Sequence, residues 1–327
     1  MMSTVRRDIP SVVVVGSVHM DLIASAPHVP HPGESVLGSG FAMYPGGKGG
    51  NQAIAAAQQG ASTAIVARVG ADTFGNQLRQ SLEGKNVDVS LLQIAADGPT
   101  GVSPVLMGLE GEYASIIVPG ASLSLTVESL VPSSDVLRSC AVLMLQLEIG
   151  IPTSTAAARI AGSAGATVMV NAAPAPPRRD ATTWELWRDV DVLIVNRDEA
   201  QVLSDVAVSN VDAAVGAAIA LKRTLGIPGV IVTLGADGAV LADSSGHLVF
   251  PGHAVTVIDT IGAGDAFAGA AAAALARGLD LREAVRLGNA AGALAVRRKG
   301  AYEAAPTLEE TQLFLAAGGV GSHETSN

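Results

Sequence analysis

Residues 12–16 read Val12-Val13-Val14-Val15-Gly16, four β-branched residues closed by a glycine. A run that is apolar at every position predicts a strand buried on both faces, as in a parallel sheet. Comparable runs recur at Ala64–Val69, Ala141–Leu145, Thr167–Val170, Val192–Val195 and Val230–Leu234. Helix-length segments lie between most of them, at Asn51–Gln59, Thr73–Glu83, Thr153–Ala164, Glu199–Ser204 and Val211–Leu225. Three more close the chain, at Gly264–Arg277, Leu281–Val296 and Leu308–Ala316. This alternation predicts βαβ units and an α/β fold: an open, doubly wound, mostly parallel sheet flanked by helices.

Two stretches break the rhythm. Residues 19–44 carry His, Pro and Gly with short apolar alternations and no helical pattern. Residues 100–118 read as a hairpin, Ser103–Leu109 and Tyr113–Val118 joined at Glu110-Gly111-Glu112. Together they predict a small inserted β-sheet lid at 19–44 and 100–118. The α/β body is then 1–18, 45–99 and 119–320, with 321–327 as a disordered tail. The proline-rich stretch Ala172–Arg179 reads as a rigid loop after a strand.

The chain has 327 residues, a formal net charge of −10, 49% hydrophobic and 15% charged residues, enough for a sizeable core. Aromatics are only 3% and glycines number 37, which suggests closely packed elements with tight backbone turns. The acidic balance argues against sequence-independent nucleic-acid binding, which needs a basic face. The one cysteine, Cys140, excludes an intrachain disulfide and a multi-cysteine zinc site, and its apolar setting reads as a small buried hydrophobe. Mean hydropathy is +0.40, yet no apolar stretch reaches the ~18 residues of a membrane span. Arg6 and Arg7 precede too short an apolar run for a signal peptide, so a cytoplasmic protein without membrane partners is expected.

The segment richest in chemistry is Asp259-Thr260-Ile261-Gly262-Ala263-Gly264-Asp265, just before an Ala-rich helix. Glycines there leave backbone N–H groups free at a helix N-terminus, a ready anion site. Asp265 is either a carboxylate stabilised at that terminus or a plain N-cap. The spacing is not the dinucleotide fingerprint, since Gly269 and not residue 267 follows. Gly46-Gly47-Lys48-Gly49-Gly50-Asn51-Gln52 is not a Walker A loop, because Gly49 stands where Ser or Thr would bind magnesium. It is a strand-to-helix turn with a solvated lysine, or a place where backbone approaches a ligand and Asn51, at the helix start, donates to a hydroxyl.

His19-Met20-Asp21 follows the first strand, and Glu148 ends another, both at carboxyl edges where open α/β sheets bind ligands. His28-x-x-His31 invites a metal hypothesis but lies in a Pro-rich loop without cysteine. Asn196-x-x-Glu199 fits either an ordinary helix start or a place beside a metal-bound phosphate. Thr233-Leu234-Gly235-Ala236-Asp237-Gly238 is a strand followed by a tight turn. No Gly-x-Ser-x-Gly elbow appears, and nothing places two carboxylates facing each other as in a glycosidase.

These blocks, in this order, resemble the ribokinase (PfkB) family of carbohydrate kinases, from about Val12 to Pro306. The resemblance is carried by Gly-Gly-Lys-Gly-x-Asn at 46–51, Leu-Met-x-Gln-Leu-Glu at 143–148 and Asn-x-x-Glu at 196–199. Further on come Thr-Leu-Gly at 233–235, Asp-Thr-x-x-Ala-Gly-Asp at 259–265 and Arg-Lys-Gly-Ala at 298–301. It implies transfer of the ATP γ-phosphoryl group to a sugar primary hydroxyl, with D-ribose giving D-ribose 5-phosphate. Asp265 would take the hydroxyl proton, and the Gly262, Ala263 and Gly264 amides would hold the phosphoryl charge. His19, Asp21, Gly47, Lys48, Gly49, Gly50, Asn51 and Glu148 fall at sugar positions. The nucleotide positions are Asn196, Glu199, Thr233, Leu234, Gly235, Ala236, Asp237, Gly238, Gly264 and Asn289, with Asn196 and Glu199 organising Mg²⁺. A K⁺ site is implied at Asp259, Ile261, Ala295, Arg298 and Gly300, with Ala304 where the family often has serine. The resemblance further implies a homodimer through the lid. His19 replaces the family's usual Asn, which bears on ribose itself and leaves 2-deoxyribose, a fructose- or tagatose-type sugar or a nucleoside as alternatives; because fold does not fix function, a catalytically silent sugar-binding regulator is the other alternative.

Overall fold

The computed structural model describes residues 10–109, 112–176 and 181–318. The turn residues Glu110 and Gly111, the end of the proline-rich loop and the tail at 321–327 lie outside them. The chain begins with β1 (Val12–Val15), β2 (His19–Ser25), β3 (Gly40–Gly46), α1 (Lys48–Gln58), β4 (Thr63–Gly70) and α2 (Thr73–Gly84). Short strands follow: β5 (Val87–Asp88), β6 (Leu92–Ala95), β7 (Gly101–Met107) and β8 (Tyr113–Ser115). Next come α3 (Ser134–Ser139), β9 (Val142–Gln146), α4 (Ile151–Gly162), β10 (Thr167–Asn171), α5 (Ala181–Trp187), β11 (Val192–Asn196) and α6 (Arg197–Ser204). The last part holds α7 (Val211–Leu225), β12 (Gly229–Thr233), β13 (Ala239–Asp243), β14 (Gly246–Phe250), α8 (Ala263–Ala276), α9 (Leu281–Ala295), α10 (Ala301–Ala304) and α11 (Leu308–Ala316).

Among the described residues the large sheet runs β14-β13-β12-β11-β10-β9-β1-β4-β5, with β6 also on β4. It is parallel except for β13 and β14, an antiparallel hairpin at one edge that the sequence reading lacks. The four valines of β1 are fully buried. Val12 and Val14 join a core with α1, α2, α8 and α9, while Val13 and Val15 join one with α3 to α7. Both faces are thus covered, which is why β1 shows no polar alternation.

Glycine and alanine let the helices that carry the site come close. A Cβ at Gly269 of α8 would lie 2.4 Å from the Cβ of Ala55 on α1. α1 starts at Lys48, earlier than expected, so Gly49, Gly50 and Asn51 are helical. The reversal falls on Gly47, at φ +89°, and a side chain at Gly49 would strike the Ser17 backbone 2.6 Å away.

A separate four-stranded sheet has the order β3-β2-β7-β8 and is built from the two stretches that broke the α/β rhythm. β2 pairs with β3 antiparallel and with β7 parallel, and β7 with β8 antiparallel. Phe41, Met43 and Leu106 of this sheet are exposed. Among the described residues, no helix is long and apolar enough to cross a membrane.

Candidate active site

Asp265 is the third residue of α8 and is buried. It does not cap its helix: the N-cap is Gly262, and no side chain caps this terminus. The first N–H groups of a helix have no partner within it, and among the described residues only that of Ala263 finds one nearby, a long contact of 3.4 Å to the Thr260 carbonyl, so this terminus suits an anion. Gly262, at φ +78°, must be glycine, since a Cβ there would also meet that of Ala301 at 2.6 Å. Both Asp265 oxygens are held by amides of α1, Oδ2 by Asn51 Nδ2 at 2.7 Å and Oδ1 by Gln52 Nε2 at 2.9 Å. Burial raises the Asp265 pKa above the usual carboxylate range against the opposing Lys48 charge and these two amides. The donor group of Asn51 is therefore turned to the base, while its Oδ1 is buried without a partner.

Lys48 opens α1. Burial disfavours its ammonium, but Asp265, Glu148, Glu199 and Asp21 outweigh that effect and raise its pKa. Glu148 Oε2 accepts from the Lys48 backbone N–H at 3.0 Å and from the Ser17 hydroxyl. Asp21 packs on the Gly46 Cα, where a Cβ would lie 2.3 Å from Oδ2. Burial raises the Asp21 pKa, opposed by His19 and Ser103. His19 is buried, its Nε2 stands 3.5 Å from Asp21 Oδ1, and its Nδ1 has no partner.

A cavity of about 880 Å³ opens at the carboxyl edge of the large sheet. It gathers Lys48, Asn196, Glu199, Thr233, Leu234, Gly235, Ala236, Gly238, Gly262, Ala263, Gly264, Asp265 and Asn289. His19, Asp21, Gly47, Gly49, Gly50, Asn51 and Glu148 do not line it and cluster instead behind Lys48 and the base. Asp237 is also outside the lining and pairs with Arg197 at 2.8 Å. Asn196 and Glu199 form a capping box on α6, Oδ1 accepting from the Glu199 N–H and Glu199 Oε2 from the Asn196 N–H. Burial raises the Glu199 pKa, opposed by the Asn196 N–H and Lys48.

Asp259 does more than cap its own turn. Oδ1 accepts from the Ile261 N–H and Oδ2 from the Gly300 N–H, each at 3.0 Å. With the Ile258 N–H on the Val296 carbonyl at 2.7 Å, this binds the loop before α8 to the segment carrying Ala295, Arg298 and Gly300. In that segment the Ala295 carbonyl accepts from the Arg298 N–H at 3.1 Å and the Gly300 carbonyl from the Ala304 N–H at 3.2 Å. Ala304 packs with Ala266 and Ala295, while the Arg298 side chain turns away to Glu310. Among the described residues no group of three His, Cys, Asp or Glu could enclose a metal. Mg²⁺ suits such a place when the phosphates supply most of its oxygens and the protein one or two carboxylates. His28 lies against Glu34 at 3.1 Å, an ordinary loop contact, and Cys140 is buried, its thiol pushed up to about 11 by desolvation.

Sequence reasoning quoted Gln52 and Gln146 only as members of motifs and did not assign Asn171 or Tyr302. Gln52 donates to Asp265, Gln146 and Asn171 hydrogen-bond to Gln52, and the Tyr302 hydroxyl donates to the Gly46 carbonyl at 3.2 Å. No local signal marks them, because their partners are distant in the chain.

Residues 10–308 match the model of the pfkB family carbohydrate kinases. The chain is 32% identical to a ribokinase of Haemophilus influenzae, over 93% of this chain and 98% of the relative. It is 34% identical to a ribokinase of Mus musculus, over 93% and 94% respectively. In structure it resembles Arabidopsis thaliana ribokinase complexed with ribose and ATP, with a TM-score of 0.86 and 28% identity, covering 94% of this chain and 98% of that one. An uncapped glycine-rich helix start, a buried carboxylate three residues into it and a match along nearly the whole chain lead to one conclusion: this protein belongs to the pfkB family of carbohydrate kinases.

Proposed function

We propose that the protein transfers the ATP γ-phosphoryl group to the primary hydroxyl of D-ribose, giving D-ribose 5-phosphate. The observation that carries this is Asp265: a buried carboxylate, held at both oxygens, at a helix N-terminus that no side chain caps. Phosphoryl transfer asks mainly for alignment and charge stabilisation. Asp265 takes the proton of the attacking hydroxyl, and the Gly262–Gly264 amides receive charge as it builds on the transferred group. Lys48 supplies positive charge between the base and the phosphates. Asp21, with Glu148 and Asn51, accepts or orients sugar hydroxyls. The cavity lined by Thr233, Gly235, Gly238 and Asn289 takes the nucleotide. Mg²⁺, held through the phosphates near Asn196 and Glu199, would neutralise their charge. K⁺ between Asp259 and the carbonyls of Ile261, Ala295, Arg298 and Gly300 would stiffen the anion-binding loop.

The small sheet, 19–44 and 100–118, acts as a lid over the sugar and, through exposed Phe41, Met43 and Leu106, as the contact of a homodimer. Use of ATP is consistent with a cytoplasmic enzyme. A second reading has a specific basis: the His19 ring stands against Asp21, which favours a different pentose such as 2-deoxyribose. An ADP-release panel over ribose, 2-deoxyribose, fructose, tagatose and nucleosides decides between them. The highest kcat/KM on ribose supports the first, and on deoxyribose the second. No ADP release on any sugar would leave only a binding role.

A further inference from the structure

Gln146 closes β9 and Asn171 closes β10, side by side in register at the carboxyl edge of the sheet. Gln146 Nε2 donates to Gln52 Oε1 at 2.6 Å. Gln52 Nε2 donates both to Asn171 Oδ1 at 3.0 Å and to Asp265 Oδ1 at 2.9 Å. Asn171 Nδ2 donates in turn to the carbonyl of Ile194 on β11 at 3.2 Å. Three adjacent strands thus hold one amide of α1, and that amide holds the base on α8.

An amide has a donor end and an acceptor end, so this chain of bonds has a direction. Turned over, Gln52 would set its oxygen against the Asp265 carboxylate and against Asn171 Oδ1, and its nitrogen against that of Gln146. Gln52 and Gln146 are wholly buried, so water cannot repair such contacts. Gln146 is itself wedged, its Oε1 lying where a Cβ at Gly16 would come within 2.0 Å. The same strand edge carries Asn196 and Thr233 of the cavity, so the base is referenced to the frame that would hold the nucleotide.

We propose that Gln146 and Asn171 are positioning residues, which through Gln52 lock the Asp265 carboxylate in the orientation that proton abstraction from the sugar hydroxyl requires. The inference rests on Asp265 being the base of the kinase proposed above. Steady-state kinetics on the full-length protein test it. Gln146→Met removes the donor at similar volume and is expected to lower kcat about tenfold, with KM for ribose and ATP unchanged within about twofold. In an Asp265→Asn background the same substitution should alter the residual rate by less than about twofold, because no carboxylate remains to be aimed. Asn171→Ala, at the cavity margin with little packing to lose, should act the same way more weakly, and it carries the test should Gln146→Met not fold. Unchanged kcat in the folded variants, a raised KM at constant kcat, or an equal loss in the Asp265→Asn background would overturn the inference. Full activity of Asp265→Asn alone would instead overturn the assignment of the base, and the relay with it.

Discussion

The two halves of the candidate site are built from different materials. On the side proposed for the sugar, side chains hold one another: His19 on Asp21, Ser17 on Glu148, Asn51 on Asp265, with Lys48 among four carboxylates. On the side proposed for the nucleotide the cavity wall combines small residues, among them Gly235, Ala236, Gly238, Gly262 and Gly264, with apolar side chains such as Val255, Val257 and Phe267. Interlocked charges discriminate between ligands because stranding any one of them leaves a buried group unpaired. A backbone wall offers shape and N–H groups that no side-chain truncation removes. Single substitutions should therefore have large effects on the sugar side and small effects on the nucleotide side.

The harshest way to break that contrast is Lys48→Met. It strips the cation from Asp265, Glu148, Glu199 and Asp21, and kcat/KM should fall by ~10² or more. Burial already raises the Asp265 pKa and Lys48 opposes it, so without Lys48 the pKa climbs further. A base works only when ionised, so the acid limb of the kcat profile should move to higher pH; an unmoved limb would deny Lys48 this role.

Next in size, Asp21→Ala should raise the KM for sugar by roughly 5- to 150-fold, the equivalent of 1–3 kcal/mol, and leave that for ATP nearly unchanged. Loss of ATP affinity instead would mean that the two halves are wrongly divided. Between the halves lies the loop held by Asp259. Activity in Tris or sodium buffers should rise several-fold on adding KCl, and Asp259→Ala should abolish the response; equal rates in K⁺ and choline chloride would count against a cation there. The smallest effect belongs to the nucleotide wall. Thr233, whose hydroxyl makes a long contact of 3.4 Å to the Val195 carbonyl, should tolerate Ala with less than about a threefold change in KM for ATP.

The same contrast governs what could be read from the sequence. Val12–Val15 is legible as a buried parallel strand because burial on both faces leaves its mark on every residue. The outer strand of the edge hairpin, Gly246–Phe250, is not, since it is largely exposed and packs too little to need a pattern, and its buried partner Ala239–Asp243 is short, with only Val240 and Leu241 as large apolar residues. The start of α1 is hidden because Gly49 and Gly50 look like breakers; these helical positions are glycine because neighbouring backbone and the Tyr302 hydroxyl occupy the space of a Cβ. Asp265 and the glycines before it are visible as a local cluster. The amides that hold it are not, because Gln52 lies 213 positions from the base and 94 from Gln146. Pairing over such distances is set by the packing of α1 and α8 on the sheet, and no spacing announces it.

The most direct measurement is turnover of Asp265→Asn with D-ribose and ATP, alongside calorimetric ribose binding to the same protein. If Asp265 removes the hydroxyl proton, kcat should drop by at least ~10² while ribose affinity stays close to that of the unaltered protein. Turnover near that of the unaltered protein would contradict the assignment of the base, and with it the chemistry proposed for this site.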